Sequence, residues 1–86
     1  MVRISLNTID KVKTFNKLAT DIESDVFVKT GKYVVDGKSL MGLFSLNLSN
    51  TLEMEIVERV DGEEDKFINS LDGKGIILFN KMQEVL

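Results

Sequence analysis

Four residue types are missing from this 86-residue chain: histidine, cysteine, proline and tryptophan. The missing histidine restricts function most. It removes serine–histidine–carboxylate triads, imidazole metal sites, histidine acid–base catalysis and phosphohistidine chemistry together. Without cysteine, disulfides and thiolate metal centres are excluded. Without proline, proline-rich ligand motifs and stiff linkers are excluded. No apolar run approaches the roughly 20 residues of a membrane span. The opening "MVRISL" is too short and too alternating for a secretion signal. Positive charge is outweighed, with 11 Lys and Arg against 14 Asp and Glu and a net charge of −3. Bulk attraction to nucleic acid or to an anionic membrane is therefore disfavoured. The expectation is a cytoplasmic protein that binds neither.

A hydrophobic fraction of 43% is that of a globular chain. The length predicts one domain over residues 1–86, with a thin core and modest stability. In "VRISL", Val2, Ile4 and Leu6 share one face, as in a half-buried strand. The period then changes. Ile9, Val12, Phe15, Ala19 and Ile22 recur every three or four residues, with Leu18 beside them, and predict an amphipathic helix. Asn7 or Thr8 can cap it, and Asp10 sits where the helix dipole favours an anion. "SDVFVKTGKYVVDG" reads as two strands, roughly 26–29 and 32–35, around a turn at Gly31.

Ser39 can open a short helix carrying Leu40, Met41, Leu43 and Phe44. "TLEMEIV" alternates clearly, with Leu52, Met54 and Ile56 on one face and Glu53 and Glu55 on the other. "DGEEDKFINSL" predicts a helix capped by Asp61 or a near neighbour, burying Phe67, Ile68 and Leu71. After the breaker "DGKG", the tail 72–86 is ambiguous. Ile76, Phe79, Met82 and Leu86 fit a last short helix, and "IILF" fits a strand equally well. Such an apolar cluster is expected to pack on the sheet or on a second copy, so a homodimer through the tail is a candidate assembly. The order predicts an α+β fold, a largely antiparallel sheet with helices on one face.

"GKSLMGLFSL" (Gly37 to Leu46) resembles the K-S-[IL]-[ML]-G-[VIL]-x-[ST]-L signature of HPr, the phosphocarrier of the bacterial sugar phosphotransferase system, and of its catabolite-repression paralogue. The element order is similar too. Asp25-Val26 and Gly31-Lys32 fall at the family's second strand and turn, and Gly62-Glu63-Glu64 resembles the start of its last helix. One extra residue separates that turn from Lys38-Ser39. The likeness covers about residues 1–71. It implies an open-faced sandwich ordered β-α-β-β-α-β-α, with a four-stranded antiparallel sheet carrying three helices on one face. In the family a histidine and an arginine, followed by proline, form the phosphotransfer centre at the start of the first helix. Here Thr8 stands at the histidine position, Asp10 at the arginine and Lys11 at the proline. The resemblance therefore implies the scaffold without the phosphocarrier activity, and no catalytic residue is assigned.

What remains is a regulatory reading. The family's matching serine is phosphorylated by a dedicated kinase, which makes Ser39 a candidate phosphorylation site as well as a helix cap. Leu40 and Met41 match the family's exposed docking positions, with Lys38 beside them, whereas Leu43 and Phe44 are expected in the core. The expected partner is a protein: a transcription regulator, a metabolic enzyme or an HPr-type serine kinase. No cofactor is expected. The acidic residues Glu53, Glu55, Glu58, Asp61, Glu63, Glu64 and Asp65 match no metal-binding spacing and read as solvated faces. Two alternatives stand beside this. One is an acyl-carrier-like acidic protein with its serine at a helix start. The other is a purely structural or oligomerising module.

Overall fold

The computed structural model describes residues 1–79. Its elements run β1 (Val2–Ile4), α1 (Ile9–Thr20), β2 (Asp25–Thr30), β3 (Tyr33–Asp36), α2 (Leu40–Phe44), β4 (Leu52–Val57), α3 (Glu63–Leu71) and β5 (Ile77–Phe79). The strands form one sheet in the order β3-β2-β4-β1-β5, and every pairing is antiparallel.

The alternation seen in the sequence decides which sheet face is covered. Val2, Ile4, Val26, Val28, Leu52 and Met54 turn to one face, where they are buried with Val12, Phe15 and Ala19 of α1, Leu43 of α2, and Phe67 and Leu71 of α3. The rings of Phe15 and Phe67 meet edge to face, with centroids 5.7 Å apart and planes at 68°. That contact joins α1 to α3. The uncovered face carries Arg3, Lys29, Glu53 and Glu55 along the registers of β1, β2 and β4. Lys29 and Glu55 form an ion pair there.

Three expectations are corrected. The sheet has five strands, not four, because "IILF" adds β5 to the outer edge of β1, with Ile77 opposite Ile4 and Phe79 opposite Arg3. Ser5 donates its N–H to the Ile76 carbonyl at 2.7 Å, extending that pairing. A helix beginning at Ile76 is thereby excluded, and Met82 and Leu86 lie outside the described residues. Second, the cap of α3, expected at Asp61 or a near neighbour, falls on that neighbour and not on Asp61. Gly62 takes the cap position at φ +84°, where only glycine is at ease, and has no side chain to offer. The Glu58 carboxylate accepts from the Glu64 N–H at 2.9 Å instead. Third, α1 ends at Thr20, so Ile22 packs on the core from the following loop, and Ile9 is exposed at the helix start.

The only buried polar residue among those described is Ser24, in the α1–β2 loop. Its hydroxyl donates to Glu63 Oε1 at 2.6 Å and accepts from the Arg59 N–H at 2.9 Å. The Ser24 and Glu23 amides also donate to the Glu63 carboxylate, at 2.8 and 3.1 Å. One carboxylate at the start of α3 thus ties down the loop leaving α1. The Ser24 hydroxyl, the two amides and, at longer range, Lys38 hold the Glu63 carboxyl below its ordinary range, against a smaller opposing effect of burial. A depressed carboxylate stabilises the fold above its unfolded value, about 4.3 for glutamate, and that contribution disappears as pH falls through the folded value. Glu63→Gln should therefore lower the urea midpoint at pH 7 and flatten its decline on acidification. Glu55, held low by its bond to Lys29, acts in the same direction, so the test is the difference between wild type and variant. Parallel acid profiles would show that the Glu63 charge is not what locks the loop.

Candidate functional site

The helix start at Ser39 is built from the turn before it. The Asp36 carboxylate accepts from the Lys38 N–H at 2.8 Å, and the Asp36 carbonyl accepts from the Ser39 N–H at 2.9 Å. Gly37 sits at the close approach. Its N–H donates to the Val26 carbonyl at 2.7 Å, and its carbonyl accepts from the Asn16 side-chain amide at 3.3 Å. A Cβ at this position would lie 2.8 Å from Val26 Cγ1 and 3.2 Å from Phe15 Cε1. The glycine of "DGKS" is thus required by steric contact with the core.

Ser39 is still extended at φ −101°, ψ 108°, and its Oγ accepts from the Gly42 N–H at 3.1 Å, as expected of a cap. The helix stops at Phe44. Ser45 closes it by donating its hydroxyl to the Gly42 carbonyl at 2.6 Å and its N–H to the Met41 carbonyl at 3.1 Å. Five residues bury one stripe only, and Leu43 occupies it. Met41 is 85% exposed, Leu40 37% and Phe44 42%. The expectation that Phe44 joins the core is corrected. One residue past Leu43, it is rotated off the buried stripe.

Lys38 behaves differently from its neighbours. Its ammonium donates to the Ile22 carbonyl at 2.7 Å, which fixes the α2 entry to the end of α1, close to the Glu63 lock. Ser39, Leu40 and Met41 are therefore presented outward together, while the charge of Lys38 is turned inward.

Thr8 and Asp10 lie elsewhere, at the start of α1. Thr8 adopts an extended conformation, and its Oγ1 accepts from the Lys11 N–H at 3.1 Å, so it is a helix cap. The Lys11 ammonium donates to Asn7 Oδ1 at 3.0 Å. Asp10 and Lys11 line a shallow groove of about 240 Å³ with Thr14, Lys74 and Ile76. Among the described residues no acidic cluster is arranged to hold a metal ion, and no helix is long and apolar enough to cross a membrane. Glu55, Glu58 and Glu63, read from the sequence as solvated, each have a specific partner.

No family model matches the chain, and no curated protein is significantly similar to it. Among solved structures, that of HPr-C-His from Thermoanaerobacter tengcongensis is similar. It is 27% identical, with a TM-score of 0.66, over 81% of this chain and 83% of that one. The fold is HPr-like: three helices on one face of an antiparallel sheet, here of five strands.

Proposed function

We propose that this chain is a regulatory, protein-binding HPr-like domain that is not a histidine phosphocarrier and does no catalysis of its own. Its working surface is the start of α2, with Ser39 as a phosphorylated switch beside Leu40 and Met41. The observation that carries this reading is Met41, 85% exposed two residues from an exposed serine cap, in a chain that has no histidine. An exposed apolar pair beside a hydroxyl gives a partner protein something to desolvate and a kinase something to modify. Transfer of a γ-phosphoryl group from ATP to Ser39 Oγ would place about two negative charges there while leaving acceptor oxygens for the α2 amides. The sheet opposes the acyl-carrier alternative, since those carriers are helical bundles.

Ser39→Ala should cost about 1 kcal/mol of stability through the lost cap, and Ser39→Asp should retain most of it because aspartate also caps. A purified HPr-type serine kinase with ATP should label the wild type and not Ser39→Ala. The wild type should take no label from phosphoenolpyruvate and the general phosphotransferase enzyme. Absence of label from the serine kinase would reduce Ser39 to a helix cap, and an acid-labile label from phosphoenolpyruvate would overturn the whole reading.

A further inference from the structure

One edge of the sheet is β3, which among the described residues pairs with β2 on one side only. It is unusually bare for an apolar edge: Tyr33 is 71% exposed and Val34 57%. The direction of its backbone groups follows from the register. Gly37 donates to the Val26 carbonyl, and the pairs Phe27–Asp36, Val28–Val35, Lys29–Val34 and Thr30–Tyr33 continue that register. Hydrogen-bonded and non-bonded pairs alternate along an antiparallel ladder. Tyr33, Val35 and Gly37 therefore turn their backbone groups inward to β2, and Val34 and Asp36 turn theirs to the open edge. The Asp36 carbonyl is occupied by the Ser39 N–H, which among the described residues leaves both groups of Val34 and the N–H of Asp36.

The geometry points to a homodimer in which β3 pairs antiparallel with β3 of a second copy, centred on Val34. A twofold axis at Val34 places Val34 opposite its own counterpart, Lys32 opposite the other copy's Asp36, and Tyr33 opposite its Val35. The five-residue stretch Lys-Tyr-Val-Val-Asp is thus complementary to its own reverse. Opposite charges meet at both ends, and an aromatic meets a β-branched residue between them, both favourable cross-strand pairs. The backbone phase agrees, because the residues that face each other as bonded pairs are those whose groups turn outward. Slipping by one residue would oppose outward groups with inward ones. Slipping by two would set Lys32 or Asp36 against Val34 and lose the charge pairing. A lysine at a sheet edge ordinarily blocks edge pairing; this one faces an aspartate instead. The inference is independent of Ser39 and of any partner at α2.

Sedimentation equilibrium over a wide protein concentration range tests it. The wild-type chain should show a monomer–dimer equilibrium that weakens with added salt. Lys32→Glu, an exposed turn substitution, sets two like-charge pairs across the axis and should raise the dimer dissociation constant about tenfold. Val34→Pro removes an N–H that the monomer's own sheet does not use and should abolish the dimer, with circular dichroism showing the fold retained. A chain that stays monomeric at millimolar concentration overturns the proposal. So does a dimer indifferent to Lys32→Glu, which would locate the contact at the β5 edge or the α2 surface instead.

Discussion

Phe67→Ala is expected to cost about 3–5 kcal/mol, the largest single loss proposed for this chain. Phe67 is 1% exposed, and its ring meets Phe15 edge to face. Removing it opens a cavity between α1 and α3 and ends the one aromatic contact that joins them. Domains of this size have roughly 5–15 kcal/mol in total, so the variant should be substantially unfolded near 37 °C. Phe67→Leu keeps most of the volume and should cost much less. The consequence reaches the candidate site, because α3 carries Glu63, which holds the loop whose Ile22 carbonyl receives Lys38. Urea denaturation of both variants checks this. A Phe67→Ala loss below about 1 kcal/mol would mean that the helices repack freely.

Gly37→Ala should cost about 1–3 kcal/mol by overpacking, even though alanine lowers the entropy of the unfolded chain. The backbone cannot retreat, because the Gly37 N–H is bonded to the Val26 carbonyl at 2.7 Å. The new methyl would press on Val26 Cγ1 and Phe15. For a 60–100-residue domain each kcal/mol lowers the melting temperature by about 4–8 °C. In a Val26→Ala background the main obstacle is gone, so the increment due to Gly37→Ala should shrink, as expected for side chains in contact. An unchanged increment would assign the loss to the contact with Phe15 rather than to that with Val26.

The elements readable from the sequence are those with a clear period. Val2-Ile4, Leu52-Met54-Ile56 and the α1 stripe each repeat often enough to declare a strand or a helix, and the caps at Thr8 and Ser39 lie next to the residues they serve. "IILF" has no alternation to read. What makes it a strand is β1, more than 70 positions earlier in the chain, and local pattern carries no such information. The bond that completes the start of α3 is hidden for a related reason. A capping side chain ordinarily stands at the residue before the helix, and here the carboxylate reaches forward from Glu58 in the preceding loop. Glu63 reads as one more solvated acid, since its three hydrogen bonds to Glu23 and Ser24 exist only once α1 and α3 have been placed. The motif "GKSLMG" indicated which helix start matters. It did not indicate that Lys38 would turn inward, which depends on a carbonyl freed at the end of α1.

The position of β1 between β4 and β5 also bears on the order of assembly. Val2 pairs with Met54, and Ile4 pairs with both Leu52 and Ile77. β1 therefore leaves the ribosome long before β4 and β5 and waits for both of its neighbours. The β2–β3 hairpin, closed by Gly31 at φ +56°, and α1 need only nearby residues and can form early. The sheet closes around β1 after most of the chain has been made, and loop-closure entropy must be overcome before those distant pairings give any return. Until then the apolar face of Val2 and Ile4 stays uncovered, which makes the nascent chain more exposed to aggregation than the finished fold.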